Sequence, residues 1–420
     1  MSTPALTERD LAAVDALLAD DDRLRLARYP GDPVTRQPVH TVYVPADRVH
    51  AGLVEEWSDA ARAALAQHAP TADALAAATG LDPAAVAEVW PGLTRKLARE
   101  PIEDLRVDLE DGYGARADSE EDRDAIASGR AMSDAAATGG LPPYCGVRFK
   151  SLQAATRRRG IRSLDLVLGS VLSAVELPDG WVQTLPKVTS SVQVSAMVEL
   201  CGRLEHVYGL PDRRLRFEIQ VETSQAILGP DGEAGAAAMV QAADGRCTGL
   251  HFGTYDYTAA LDIAGGYQAM DHPAADHAKA VMQVAAAGTR ARVSDGSTNV
   301  LPVGDTSRVH GAWQLHARLV RRSLERGFYQ GWDLHPAQLP TRFLSTYLFF
   351  RRDHEALATR LRRYLQGADS GVLDEPATAQ ALAAFLMRGV HCGAVDGSEV
   401  TQWVGADLQR LTALAQRHVG

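Results

Sequence analysis

Only four cysteines occur in the 420 residues, Cys145, Cys201, Cys247 and Cys392, and no two stand near enough for a CxxC pair. That spacing provides neither a disulfide framework nor a zinc site, and it suits a reducing compartment. Long apolar runs are missing as well: none approaches the roughly 20 residues of a membrane-crossing helix. The first residues, MSTPALTERDLAAVDALLADDD, are acidic and amphipathic rather than basic and then apolar, so no secretory leader is expected there. Basic residues are in deficit, 43 Lys and Arg against 53 Asp and Glu, for a net charge of −10. A nucleic-acid partner, which needs a basic face, is therefore disfavoured. The glycine-rich stretch Gly112-Tyr113-Gly114 lacks the GxGxxG spacing and the following helix start of a nucleotide loop. These absences lead to the expectation of a cytoplasmic protein without membrane or nucleic-acid partners.

What is present is an ordinary globular composition, 46% hydrophobic and 23% charged, in a chain long enough to bury a large core. Short apolar runs bounded by turn residues predict eight strands. They are His40–Pro45, Leu105–Leu109, Tyr144–Phe149, Val182–Val188, the run from Leu215 to Val221, the run from Thr248, Arg290–Val293 and Gly331–Leu334. Helical patterns lie between them. A first helix is predicted from Glu8 to about Leu26 with Thr7 as cap, and alanine-rich helices over 49–100 are predicted to break at Pro70, Gly80–Pro83 and Pro91–Gly92. Further helices are expected over Ser119–Ala137, Ser190–Tyr208, from Ala226 onward, and over Asp276–Ala287 and Gly311–Gly327. Thr156–Gly160 (TRRRG) reads as a solvated basic turn, and Leu164–Gly180 fits strand or helix equally. Eight βα units predict an α/β protein, a (β/α)8 TIM barrel over 39–345. An N-terminal helical extension (1–38) and a C-terminal helical arm (346–420) would flank it.

In such a barrel the chemistry sits at the carboxyl ends of the strands. The alternating run Leu215–Val221 ends in Glu222, and Thr248–Asp256 (TGLHFGTYD) places a glycine and then Asp256 after the next strand. Two acids so placed can hold one hard cation such as Mg2+ through oxygen; they can also simply cap helices. Arg148 closes the third strand, where a permanently charged, bidentate guanidinium can grip a carboxylate or enolate oxygen, or pair with Glu110 or Asp111. Asp108, Glu110 and Asp111 cannot all ionise in a tight cluster without partners. Glu110 and Asp111 are therefore assigned to Arg148 or a metal-bound water, and Asp108 to structure. Asp374 lies in an apolar, proline-bounded segment where burial would raise its pKa toward that of a working acid/base; LDEPATAQ is equally a helix start with Asp374 as cap. His335 reads as a turn histidine rather than a base, and Asp295 as a cap or a pocket residue.

Eight motifs occur in a fixed order: TVYVPAD (Thr41–Asp47), VDLEDGYG (Val107–Gly114), GVRF (Gly146–Phe149), TLPKV (Thr184–Val188), QVET (Gln220–Thr223), GTYDYT (Gly253–Thr258), GFYQGWDLHPAQ (Gly327–Gln338) and GVLDEPATAQALAAF (Gly371–Phe385). Together they resemble the HpcH/HpaI aldolase and citrate lyase β-subunit superfamily. The resemblance implies a Mg2+-dependent carbon–carbon lyase or aldolase, with Mn2+ as a substitute and no permanently bound organic cofactor. Its substrate would be a hydroxy acid or 2-oxo acid, or the CoA thioester, reacting through a metal-stabilised enolate. A malate-synthase-like condensation of acetyl-CoA with glyoxylate, or a non-catalytic metal- and oxo-acid-binding subunit of a larger complex, are the alternatives.

The resemblance further implies Glu222 and Asp256 as metal ligands, and Arg148, Glu110, Asp111 and Lys187 as substrate-binding residues. Arg148 and Asp374 would be catalytic, with Asp374 often supplied to a neighbouring subunit. A homo-oligomer, trimer or hexamer, follows from the same likeness. Lys187 is then a charge partner in the barrel mouth, not a Schiff-base nucleophile. Lys150 departs from the family, which often has asparagine two positions after the arginine. A basic residue before the first strand is also missing (Pro38-Val39-His40), and the segment from Arg48 to Glu103 is long. Those last two differences point toward a small oxo acid without CoA.

Overall fold

The computed structural model describes residues 5–367 and 375–416. Helix α1 (Glu8–Arg28) opens the chain on a capping box in which Thr7 and Asp10 bond reciprocally, and none of its residues is buried. A connector leads to β1 (His40–Pro45), and three helices follow it: α2 (Leu53–His68), α3 (Ala72–Thr79) and α4 (Pro83–Arg99). Strand and helix then alternate through β2 (Asp104–Asp108), α5 (Asp118–Ala137), β3 (Tyr144–Arg148), α6 (Arg157–Leu172), β4 (Trp181–Leu185), α7 (Ser191–Tyr208) and β5 (Phe217–Val221). Next come α8 (Gly235–Ala242), β6 (Cys247–Phe252), α9 (Thr254–Ala260), α10 (Pro273–Ala286), β7 (Arg292–Ser294), α11 (Thr306–Glu325) and β8 (Gly331–Asp333). Five helices complete the described chain: α12 (Leu339–Arg351), α13 (His354–Leu365), α14 (Pro376–His391), α15 (Gly397–Val404) and α16 (Leu408–Ala415).

The eight strands pair in parallel in the order β7-β6-β5-β4-β3-β2-β1-β8. The two ends of that order meet through a parallel bridge between Ser294 and Gln330, where the Asp295 N–H donates to the Gln330 carbonyl at 2.9 Å. The fold is a (β/α)8 TIM barrel. One apolar cluster joins the strands from β2 to β6 to α5–α8 and α10. A second joins β1 to α2–α4 and to α11–α16, so the C-terminal helices share a core with the long insertion between β1 and β2.

Three local expectations are corrected. Pro91 does not end its helix: α4 continues to Arg99 because Val86, Val89, Leu93 and Leu97 form one buried stripe, outweighing the ~3 kcal/mol an internal proline costs. The arginine run is a helix start, not a turn. It opens α6 with Arg157 and Arg158 exposed, and Arg159 is ion-paired with Glu121 and Asp122 on α5 while Arg162 takes Asp122 at 2.7 Å. The helix expected from Ala226 is only a 3-10 turn over Ser224–Ala226, capped by Thr223; α8 begins at Gly235, after the Gly229-Pro230 punctuation.

Glu103 clamps the bottom of β2. Its buried carboxylate accepts from the Val39 N–H (2.9 Å) and pairs with Lys96 and with Arg36 (2.9 Å). Burial alone would raise its pKa, but Lys96 and Arg36 hold it below the usual 4.5. Its contribution is thus present above pH 4.5 and lost as pH falls through the depressed native value. Glu103→Ala is expected to cost about 1–3 kcal/mol in denaturant unfolding, because the buried Val39 N–H loses its acceptor and Lys96 and Arg36 are left with Glu100 alone. The deficit should shrink in acid.

Candidate active site

The register of β2 and β3 places Asp108 directly opposite Arg148. Arg148 donates from Nε (2.7 Å) and Nη2 (2.6 Å) to the two oxygens of Asp108, which also accept from the Glu110 N–H (3.0 Å) and the Gly112 N–H (2.9 Å). A Cβ at Gly112 would lie 2.4 Å from Asp108 Oδ2, so this loop needs glycine to close on the carboxylate. The guanidinium also lies 4.5 Å from the centre of the Tyr43 ring. The expectation gave Glu110 and Asp111 to Arg148 or a metal-bound water and left Asp108 to structure; as to Arg148 it is corrected, because Asp108 is the bidentate partner and Glu110 only a distant one. Nη1, 3.9 Å from Glu110 Oε2, is the remaining end of the fork.

After β4 the chain turns through Lys187 in the left-handed region, φ 51°, a conformation that costs an ordinary residue about 1–2 kcal/mol. It sends the Lys187 N–H to Glu222 Oε1 at 2.6 Å and Nζ to Asp111 at 2.7 Å, with Glu110 and Asp256 each at 3.3 Å. Strain of this kind is found where backbone and side chain must both be aimed. Glu222 follows β5 and is buried, whereas Asp111 and Asp256 are open to solvent. Gly253, at the end of β6, makes room for Glu222: a Cβ there would lie 2.5 Å from its Cβ and 2.6 Å from Oε2. Gly253→Ala should cost about 1–3 kcal/mol by overpacking. The same substitution is expected to weaken any ligand that depends on Glu222, as a paired melting and titration experiment would read.

Burial pushes the Glu222 carboxyl up to about 8, with nearby Asp256 and Glu110 adding to the rise and Lys187 and Arg148 opposing it. Glu110 is raised to about 7, first by burial and then by Asp111. Asp111 is held below its usual value because the hydrogen bond from Lys187 outweighs its partial desolvation. Lys187 is itself raised above its usual value, with Glu222, Asp111 and Glu110 overcoming the effect of burial. Five acids thus face one lysine and an arginine already spent on Asp108, so the mouth is short of positive charge. Among the described residues no three Asp, Glu, His or Cys side chains are grouped to hold a metal; Glu110, Asp111 and Asp256 converge on Lys187 Nζ instead. Two carboxylates are nonetheless enough for a small divalent cation that keeps waters and takes substrate oxygens, and the donor set here is all oxygen.

The other singled-out residues lie apart from this group. Lys150 Nζ donates to the Leu109 carbonyl (2.6 Å) and Glu121 (2.7 Å), bracing the β2 loop onto α5. Asp295 is buried between Lys279 (3.0 Å) and Ser323 (2.5 Å). His335 caps the turn Pro336–Gln338 by accepting from the Ala337 N–H at 3.2 Å. Asp374 falls outside the described residues. Tyr43, Gly112 and Gly253 stand inside the motifs TVYVPAD, VDLEDGYG and GTYDYT, but the sequence alone assigns them no role.

Residues 18–419 match a family described as a domain of unknown function, DUF6986. The chain belongs to that family. No curated protein matches it. Among solved structures this DUF6986 chain is similar to a citrate lyase from Burkholderia xenovorans, at 17% identity over 91% of this chain and 97% of that one, TM-score 0.58. It is also similar to Haloferax volcanii malate synthase, crystallised with glyoxylate (16% identity, 91% and 99% covered, TM-score 0.50). A third is the protein CitE from Mycobacterium tuberculosis, in complex with magnesium, acetoacetate and coenzyme A (17%, 86% and 99%, TM-score 0.50). The DUF6986 chain therefore shares its barrel fold with these three proteins.

Proposed function

We propose that this protein is a Mg2+-dependent carbon–carbon lyase or aldolase acting on a small hydroxy acid or 2-oxo acid. One observation carries the reading: at the carboxyl ends of the strands, Glu110, Asp111 and Asp256 converge on Lys187 Nζ while Glu222 accepts from its N–H. Glu222 and Asp256 would hold the cation. Bound there, a divalent ion supplies Lewis acidity, polarising an oxo-acid carbonyl and stabilising the charge that develops on its oxygen. Arg148, fixed by Asp108 and Tyr43, would offer Nη1 to a substrate oxygen from a site already desolvated, where such a donor is worth most. Lys187 would balance the substrate carboxylate. Glu110, raised to about 7, is able to hold a proton at neutral pH. Asp374, just ahead of α14, would move the proton at the reacting carbon, from its own chain or from a neighbour in a homo-oligomer.

The test is calorimetric titration of pyruvate, glyoxylate, oxaloacetate and acetyl-CoA, each with and without Mg2+, into wild type and Glu222→Ala. Oxo-acid binding that requires Mg2+ and disappears in the variant is the expected result. Binding that ignores Mg2+, or survives in Glu222→Ala, would overturn the metal assignment. Acetyl-CoA binding would favour the malate-synthase-like condensation. No binding of any of the four with Mg2+ present would favour a subunit that depends on a partner. Asp374→Asn is expected to abolish turnover while sparing Mg2+ binding; an unchanged rate would remove Asp374 from the mechanism.

A further inference from the structure

The opposite end of the barrel carries a second charged site. At the amino ends of the strands from β4 to β7 lies a cavity of about 790 Å3, walled on one side by the connector between α1 and β1. That wall is tied in place. The Gly31 N–H donates to the Gly288 carbonyl at 2.9 Å, and Arg292 Nη2 donates to both oxygens of Thr35 at 2.6 Å. Across the cavity Arg214 Nη2 donates to the Leu177 carbonyl at 2.7 Å and to that of Pro178. Arg292 and Arg214 are thus half-buried and positioned by neutral oxygens, while Arg216 and Arg290 stand exposed at the rim.

None of these four arginines has a carboxylate within ion-pair distance among the described residues. Burial lowers the pKa of Arg292, outweighing Tyr144 and the more distant Asp32, which act to raise it. The cavity's own acids answer the charge only in part. Asp104 and Glu218 are spent on Arg106 at the floor, Asp32 accepts from the Gly288 N–H and acts on Arg292 only from beyond ion-pair distance, and Asp179 is exposed. On the same floor, Arg106 Nε and His251 Nδ1 are buried and have no hydrogen-bond partner. A protein of net charge −10 therefore keeps, among its described residues, four guanidinium groups with no carboxylate at ion-pair distance and two orphaned polar atoms around one hollow.

Planar guanidinium forks match phosphate oxygens, and the hollow is within the ~300–1,000 Å3 of small-molecule sites. We propose that this cavity binds a phosphorylated small molecule of about nucleotide size, at a site separate from the acid-rich mouth. The amino-terminal face of such barrels does not carry the chemistry, so the ligand acts there as an effector or stabiliser rather than a substrate. The two sites lie roughly 13 Å apart along β5, which carries Glu218 to this floor and leads into Glu222 at the other mouth.

The test is calorimetric titration of inorganic tripolyphosphate into the full chain, without divalent cations, at low and high salt. Wild type, Arg216→Glu/Arg290→Glu and Glu222→Ala are compared. One site per chain in wild type is expected, weakened at least about tenfold in the double variant and by added salt, and unchanged in Glu222→Ala. Both arginines of the double variant are exposed, so an unchanged melting temperature confirms that its fold is intact. No binding in wild type, equal binding in the double variant, or loss in Glu222→Ala would each overturn the proposal.

Discussion

An Arg148→Met variant is expected to lose about a thousandfold in oxo-acid turnover and about 3–5 kcal/mol of stability. The two losses have different origins. Asp108 is almost fully buried and receives Nε and Nη2 of Arg148 at 2.7 and 2.6 Å. Removing the guanidinium leaves that carboxylate with only the N–H groups of Glu110 and Gly112, an uncompensated buried charge. Turnover is lost because Nη1 is the end of the fork not bonded to Asp108, and methionine offers no donor there. Arg148→Lys separates the effects. A lysine restores a charge to Asp108 but cannot bond it at two points and still present a third nitrogen. It should recover much of the stability and little of the rate. Denaturant unfolding beside steady-state kinetics reads both quantities, and a lysine variant that recovers rate and stability in parallel would assign Arg148 a purely structural role.

The asymmetry between strand and site explains what the sequence made legible. Strand β1, His40–Pro45, was readable to the residue because β-branched residues end at a proline. Parallel strands buried on both faces announce themselves by composition. Pro91 misled because local propensity was weighed without the buried stripe of α4, which only the packed second core supplies. Acids at strand ends were visible as motifs, yet their partners were not. Asp108 rather than Glu110 takes Arg148 because β2 and β3 align with no offset, and register lies in the pairing rather than in either segment. The arginine cavity was invisible for the same reason: Arg214, Arg216, Arg290 and Arg292 come from segments far apart in the chain, and they meet only when the barrel closes.

Lys187→Met should tighten Mg2+ binding about tenfold while weakening oxo-acid binding. The ammonium lies 2.7 Å from Asp111 and 3.3 Å from both Glu110 and Asp256, inside the ring of acids where a divalent ion would be drawn. Two unit charges about 4 Å apart at an effective dielectric near 20 interact by about 4 kcal/mol. Solvent at the open rim screens much of that, and about 1.4 kcal/mol, a factor of ten, is the part expected to survive. Methionine retains the backbone N–H that holds Glu222 at 2.6 Å, so the change removes a competing cation without releasing the buried carboxylate. In the absence of divalent ions the same variant should melt lower than wild type, since Glu110 and Glu222 lose one of the charges that oppose their rise. Added Mg2+ should close that deficit by mass action. The oxo acid is expected to respond in the opposite direction, because its carboxylate loses the ammonium that would balance it. A Lys187→Met protein that binds Mg2+ more weakly than wild type would place the lysine among the groups that assemble the metal site, and Glu222 and Asp256 would no longer suffice as its ligands.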